Sequence, residues 1–271
     1  MFGRRKQEPF ALVPVPATPP APAAGGDDAI VPALRLPSTP EKLVAVPALP
    51  GDAQSSVFAW EQCRVLRTRL QLIMRERNLR TLLVTSAVAG EGKTFAAANL
   101  AMSFSQLEDK RVLLMDADLR RPGLSAFFGQ QIRAGLTDCL SNGHRLTDVI
   151  VPLHPRLDYL PTKPAFEHSV ELLNRGRMRE LIADCAARYD LVVIDSAPLS
   201  PIADTQVLIR LVDAAVLVVR AGVSPYPLVR QAAELLQPKL IGTVLNAVDR
   251  SDGQDYSPYR YYYSPRPEGA K

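Results

Sequence analysis

Three cysteines, one tryptophan and no long uncharged apolar run set the first limits on this 271-residue chain. Cys63, Cys139 and Cys185 are odd in number and far apart, which fits neither a disulfide framework nor a zinc site, so reduced thiols in a cytoplasmic protein are expected. A helix that crosses a membrane needs about 18 consecutive apolar residues, and no stretch supplies them. The run from Pro9 to Gly26 follows Arg4, Arg5 and Lys6 like a signal peptide, but prolines 14, 16, 19, 20 and 22 break it; a chain neither secreted nor membrane-spanning is expected. Charge of one sign is also lacking: 32 Lys and Arg stand against 28 Asp and Glu, too even a balance to argue for a nucleic-acid partner.

Proline is abundant, but unevenly spread. Eleven of the 24 prolines fall in the first 52 residues, where fixed φ and missing N–H groups oppose both helix and ladder. Residues 1–52 therefore read as a disordered Pro/Ala-rich leader, 53–249 as one globular domain, and 250–271 as a flexible tail.

Within 53–249, apolar runs alternate with helical patterns. Strands are predicted at 82–86, 112–116, 157–160, 191–195, 215–219 and 241–245, and helices at 58–77, 93–108, 168–189, 203–211 and 226–236. Runs such as Leu191-Val-Val-Ile are apolar throughout, as strands covered on both faces must be. The fold predicted is α/β: a doubly wound, mostly parallel sheet with its ligand site at the carboxyl ends of the strands.

The first of these strands runs into Ala87-Val-Ala-Gly-Glu-Gly-Lys93-Thr94 and then a helix, a P-loop with alanine at its first glycine position. Gly90 and Gly92 allow backbone N–H groups to close around phosphate at a helix N-terminus, Lys93 reaches the β- and γ-phosphates, and the Thr94 hydroxyl suits Mg²⁺. Ala89, Gly90, Glu91, Gly92, Lys93, Thr94 and Phe95 are thus the predicted cradle for ATP. Two more strands end in acid, at Asp116-Ala-Asp118 and at Asp195. A strand-end carboxylate is the Walker B arrangement, so Asp116 and Asp195 join Thr94 as predicted metal ligands; the surplus carboxylate leaves one to act as base.

The sequence resembles the bacterial tyrosine kinases, P-loop autokinases of capsule and exopolysaccharide loci, over about Ser55 to Val248. The likeness rests on Gly-Glu-Gly-Lys-Thr at 90–94, Asp-Ala-Asp-Leu-Arg-Arg-Pro at 116–122 and Ile-Asp-Ser-Ala-Pro at 194–198. It implies a P-loop NTPase of the deviant-Walker type related to MinD and ParA, catalytic roles for Lys93, Asp116, Asp118 and Asp195, and an adenine contact at Asn246. Eukaryotic-type kinases are excluded, because no Asp-Phe-Gly occurs and the His144-Arg145 pair is followed by Leu146.

Glu61, Arg64 and Arg67 match the family's Glu-x-x-Arg-x-x-Arg motif, which implies a ring-like homo-oligomer. Arg64 and Arg67 lie off the Leu66, Leu70, Ile73 core stripe of their helix. Arg69 stands where the family often has asparagine, and His168-Ser169 where Asn-Pro is usual. Five of eight tyrosines, Tyr256, Tyr259, Tyr261, Tyr262 and Tyr263, crowd the tail and are the expected phosphoacceptors. The resemblance further implies an activating membrane polysaccharide co-polymerase, or chain-length-determinant protein, that holds the kinase at the inner face of the membrane. The rival from another class is an ATPase switch of the MinD/ParA type that binds a membrane partner without phosphorylating protein. Val88 stands where those ATPases carry their signature lysine, and a switch leaves the tyrosine tail unexplained. A nucleotide-binding scaffold without catalysis is a third alternative.

Overall fold

The computed structural model describes residues 53–249 and two short segments, 7–8 and 11–13. The elements are, in order, strands β1 (Gln7–Glu8) and β2 (Ala11–Val13), helix α1 (Ala53–Glu76), β3 (Thr81–Ser86), α2 (Lys93–Ser105), β4 (Val112–Asp116), α3 (Leu124–Phe127), α4 (Leu136–Ser141), α5 (Leu146–Val149), β5 (Val151–His154), β6 (Leu157–Leu160), α6 (Ser169–Leu173), α7 (Gly176–Arg188), β7 (Leu191–Asp195), α8 (Asp204–Leu208), β8 (Ala214–Arg220), α9 (Tyr226–Leu236), β9 (Leu240–Asn246) and β10 (Val248–Asp249).

Eight strands form one sheet in the order β2-β9-β8-β3-β7-β4-β6-β5. The six predicted from apolar runs are the six parallel strands at its centre, and the two edges, β2 on β9 and β5 on β6, are antiparallel. β3, β4 and β7 are buried at every residue. Alternate side chains feed two cores: Leu82, Val84, Leu114 and Val193 pack with α1 and α2 on one face, while Leu83, Met115, Val192 and Ile194 pack with α4, α7 and α9 on the other. β3 therefore needs no polar alternation.

The departures from prediction have local causes. The helix expected over 168–189 is two, α6 and α7, because Asn174 ends the first and extended Arg175 caps the second ahead of Gly176. Helices α3, α4 and α5 have only four to six residues, too few to establish a period. The leader's proline-free Ala11–Val13 keeps its N–H groups and pairs with β9; the leader apart from 7–8 and 11–13, and the tail from 250, lie outside the described residues.

On α1, Leu66 and Leu70 of the predicted stripe are buried and Ile73 is partly buried, while Cys63 and Met74, which the stripe did not include, are buried with them. All three cysteines are buried free thiols, and burial pushes Cys63 and Cys185 up to about 12 and Cys139 to about 11. Among the described residues no helix is long and apolar enough to cross a membrane.

Candidate nucleotide and phosphoryl-transfer site

The site forms where β3, β7 and β4 end side by side. Parallel register places Asp116, the last residue of β4, opposite Asp195, the last of β7, while Val84 of β3 pairs with Asp195 on its other side. The loop after β3 crosses above them and enters α2, whose N-cap Gly92 is left-handed at φ 93°. A side chain at Gly92 would be strained by that φ and would also collide with the Asn246 amide.

Lys93 extends from this turn over the acids. Its Nζ donates to Asp118 Oδ2 at 2.9 Å and to Thr94 Oγ1 at 3.2 Å, and lies 3.7 Å from Asp195 Oδ1. Burial works against the ammonium charge, but Asp195 and Asp118 outweigh it and hold the Lys93 pKa above its ordinary value.

The three aspartates are held differently. Asp118 accepts the Arg121 N–H at 2.9 Å on the oxygen that Lys93 leaves free. Asp116 accepts from the Asp118 and Leu124 amides, both at 3.2 Å; burial first, and then the neighbouring Asp195 charge, raise its pKa well above the ordinary carboxylate range. Asp195 is fully buried, and neither of its oxygens finds a donor at hydrogen-bond geometry. Burial raises its pKa to about 6, with the Lys93 charge pulling the other way.

That orphaned carboxylate is the observation on which the fit of Mg²⁺ turns. Mg²⁺ takes hard oxygen donors, commonly one or two carboxylates plus substrate phosphates, and keeps several waters. Thr94, Asp195 and Asp116 offer such a donor set beside the phosphate loop. Among the described residues no cluster of three or more His, Cys, Asp or Glu is arranged to hold a metal by protein ligands alone.

The other predicted loop residues divide in role. Ala89 and Gly90 are exposed at the crown of the loop. Phe95 turns from the crown toward Phe127, edge to face at 6.1 Å. Asn246 stands at the end of β9 with its Nδ2 donating to the Glu91 carbonyl at 2.9 Å. Glu91 is buried, its carboxylate turned toward protein donors.

Sequence reasoning placed Arg120 in the 116–122 motif without giving it a role, and passed over Asp204. Arg120 Nε donates to both oxygens of fully buried Asp204, at 3.2 and 3.1 Å, and its guanidinium lies 4.9 Å from the Phe166 ring, pinning the loop after β4 to α8. Asp204, at the start of a five-residue helix, carried no sequence signal beyond an N-terminal acid.

Glu61, Arg64 and Arg67 line a shallow groove of about 420 Å³ on α1, remote in sequence from the loop. Arg64 is exposed and paired with Glu61 at 3.4 Å. Arg67 instead turns inward and donates to the Ser103 carbonyl of α2 at 2.8 Å. The tail tyrosines lie outside the described residues.

A strand, a phosphate loop on a helix N-terminus and buried acids on adjacent strand ends define a P-loop nucleotide-binding protein. The model of the CobQ/CobB/MinD/ParA nucleotide binding domain matches residues 82–259. Tyrosine-protein kinase YwqD of Bacillus subtilis (strain 168) is 34% identical over 203 residues, covering 73% of this chain and 85% of that protein. Succinoglycan biosynthesis transport protein ExoP of Rhizobium meliloti (strain 1021) is 32% identical over 215 residues, which is 77% of this chain but only 27% of that protein. The solved kinase domain of Escherichia coli tyrosine kinase ETK superposes with a TM-score of 0.70 at 31% identity, covering 82% of this chain and 88% of that one. The chain belongs to the CobQ/CobB/MinD/ParA nucleotide-binding family and, within it, to the bacterial tyrosine-protein kinases.

Proposed function

We propose that this protein is an ATP-dependent tyrosine autokinase that phosphorylates the C-terminal tyrosine cluster of neighbouring copies and thereby regulates exopolysaccharide or capsule polymerisation and export. The convergence of Lys93, Asp118, Asp116 and Asp195 at one end of the sheet carries this reading, together with membership of the kinase family. In phosphoryl transfer the protein contributes mainly position and charge. Lys93 leaves Asp118 for the β/γ-phosphates when nucleotide binds, and that exchange frees a carboxylate next to the transfer point. Asp116 or Asp118 then orients or deprotonates the incoming tyrosine hydroxyl, whose ordinary pKa of about 10 makes a nearby base useful. Thr94, Asp116 and Asp195 would hold Mg²⁺, which offsets phosphate charge.

The tail must reach a neighbour, so we assign Glu61 and Arg64 to a ring-forming contact, with Arg67 setting the helix surface that carries it. The tail has Arg250, Arg260, Arg266 and Lys271 against Asp252, Asp255 and Glu268. Each phosphate adds about −1.5 to −2 charges, so a few modifications make the tail anionic and drive it from the acidic crevice. A membrane co-polymerase is the proposed activator, placing the kinase at the cytoplasmic face.

The test is intact-mass and peptide mapping after incubation with Mg·ATP, with and without the partner's cytoplasmic segment. Phosphate on Tyr256–Tyr263 that disappears in Lys93→Met supports the autokinase. Its absence in both conditions, with ATP hydrolysis intact, favours the ATPase switch.

A further inference from the structure

The glutamate of the phosphate loop does not point at the nucleotide crevice. Glu91 is 1% exposed, and no cation among the described residues pairs with it. One carboxylate oxygen accepts the Val88 N–H at 2.8 Å, bridging the loop internally, and the other meets the Ser224 hydroxyl in a short contact. Ser224 is itself fixed, since its Oγ accepts the Arg220 N–H at 3.0 Å and lies 3.1 Å from the Arg220 carbonyl. Two further bonds cross the same seam: Arg220 Nη1 donates to the Gly90 carbonyl at 3.4 Å, and Asn246 Nδ2 to the Glu91 carbonyl.

A glycine-rich loop is free to populate many conformations, and only one of them aims its N–H groups at phosphate. Ordering the loop upon binding subtracts from affinity; holding it beforehand does not. We propose that Glu91 and Ser224 form a latch in which Glu91 is a positioning residue: clamped by the β8–α9 connection, it presets the phosphate loop before nucleotide arrives. The latch rests on the nucleotide-binding part of the proposed function, not on tyrosine as the acceptor. Because ground state and transition state both need the ordered loop, its loss falls on KM for ATP and leaves kcat in place.

The experiment measures ADP affinity of the full chain by calorimetry, alongside melting temperature without nucleotide and KM and kcat for ATP. Ser224→Ala is expected to weaken ADP binding about tenfold, equivalent to about 1.4 kcal/mol. Ser224→Thr, which keeps the hydroxyl, should restore binding to within about twofold, and Glu91→Ala combined with Ser224→Ala should be no weaker than the worse single variant. Unchanged ADP affinity in Ser224→Ala, additive losses in the double variant, or a fall in kcat at unchanged KM would overturn the latch. A fall in melting temperature with ADP affinity retained would reduce the pair to a structural role and overturn it equally. If the parent chain binds no ADP, the nucleotide reading fails first, and the two failures are thereby told apart.

Discussion

The two ends of the parallel sheet treat aspartate in opposite ways. At the amino end, Asp213 Oδ2 accepts the Arg80 and Thr81 N–H groups at 2.8 and 2.9 Å, and Asp190 accepts the Arg111 N–H at 2.8 Å, so each acid closes a strand entrance. At the carboxyl end, Asp195 is buried with no donor at full hydrogen-bond geometry and Lys93 Nζ 3.7 Å away, and Asp116 stands beside it with its pKa raised. Asp190 and Asp213 hold strands together at the amino end, whereas at the carboxyl end Asp195 is left available to a ligand, with Asp116, itself bonded to two backbone amides, crowded against it.

Removing an acid from each end would break this contrast most sharply. Asp195→Asn should lower the phosphoryl-transfer rate by at least about 100-fold, as expected when charge organisation in a preorganised site is lost, while its melting temperature holds or rises. Asp213→Ala should do the reverse. It leaves two strand-entrance amides without their acceptor, costing about 2–3 kcal/mol, or roughly 4–12 °C in melting temperature for a domain of this size, with little change in rate at temperatures where it stays folded. Calorimetry and a steady-state assay on both variants check the pair; equal loss of rate from the two would erase the comparison.

A pH titration sharpens it. The folded-state pKa of Asp195 is raised from 3.8 to about 6. Between those values the native state holds a proton that the unfolded chain has released, so this group's contribution to stability falls as pH rises through that window. The melting temperature of Asp195→Asn should therefore gain on that of the parent from about pH 4 to about pH 6 and run parallel above it.

The smallest effect belongs to the amino end. Tyr189→Phe removes a hydroxyl that donates to Asp158 at 2.8 Å and should cost about 1 kcal/mol, visible as a small shift in urea midpoint with unchanged ATP affinity.

Much of this was legible beforehand. Apolar runs located all six central strands because strands buried on both faces leave no polar position to disguise them. Gly90, Gly92, Lys93 and Thr94 announced the phosphate loop because the backbone conformation and charge it requires belong to few residue types. Glu91 was legible as a loop residue but not as a latch, since its partner Ser224 lies 133 residues away. The pairing of Arg120 with Asp204 was silent for the same reason, their bond spanning 84 residues. Arg67 shows the limit of helical periodicity: a face that leaves the core stripe still met the Ser103 carbonyl once α2 packed on α1.

By itself, then, the sequence determined the local things, where strands and helices form and that a nucleotide loop sits between one pair of them, because periodicity and glycine geometry act over a few residues. The insertion of β7 between β3 and β4 follows from packing across the whole sheet. That insertion sets Asp195 beside Asp116 and under Lys93, and so raises the pKa of both aspartates while Asp190 and Asp213 cap strand entrances. Strand order is settled by the packing of both sheet faces at once, and the Coulomb field at a carboxylate depends on distances that no linear spacing contains.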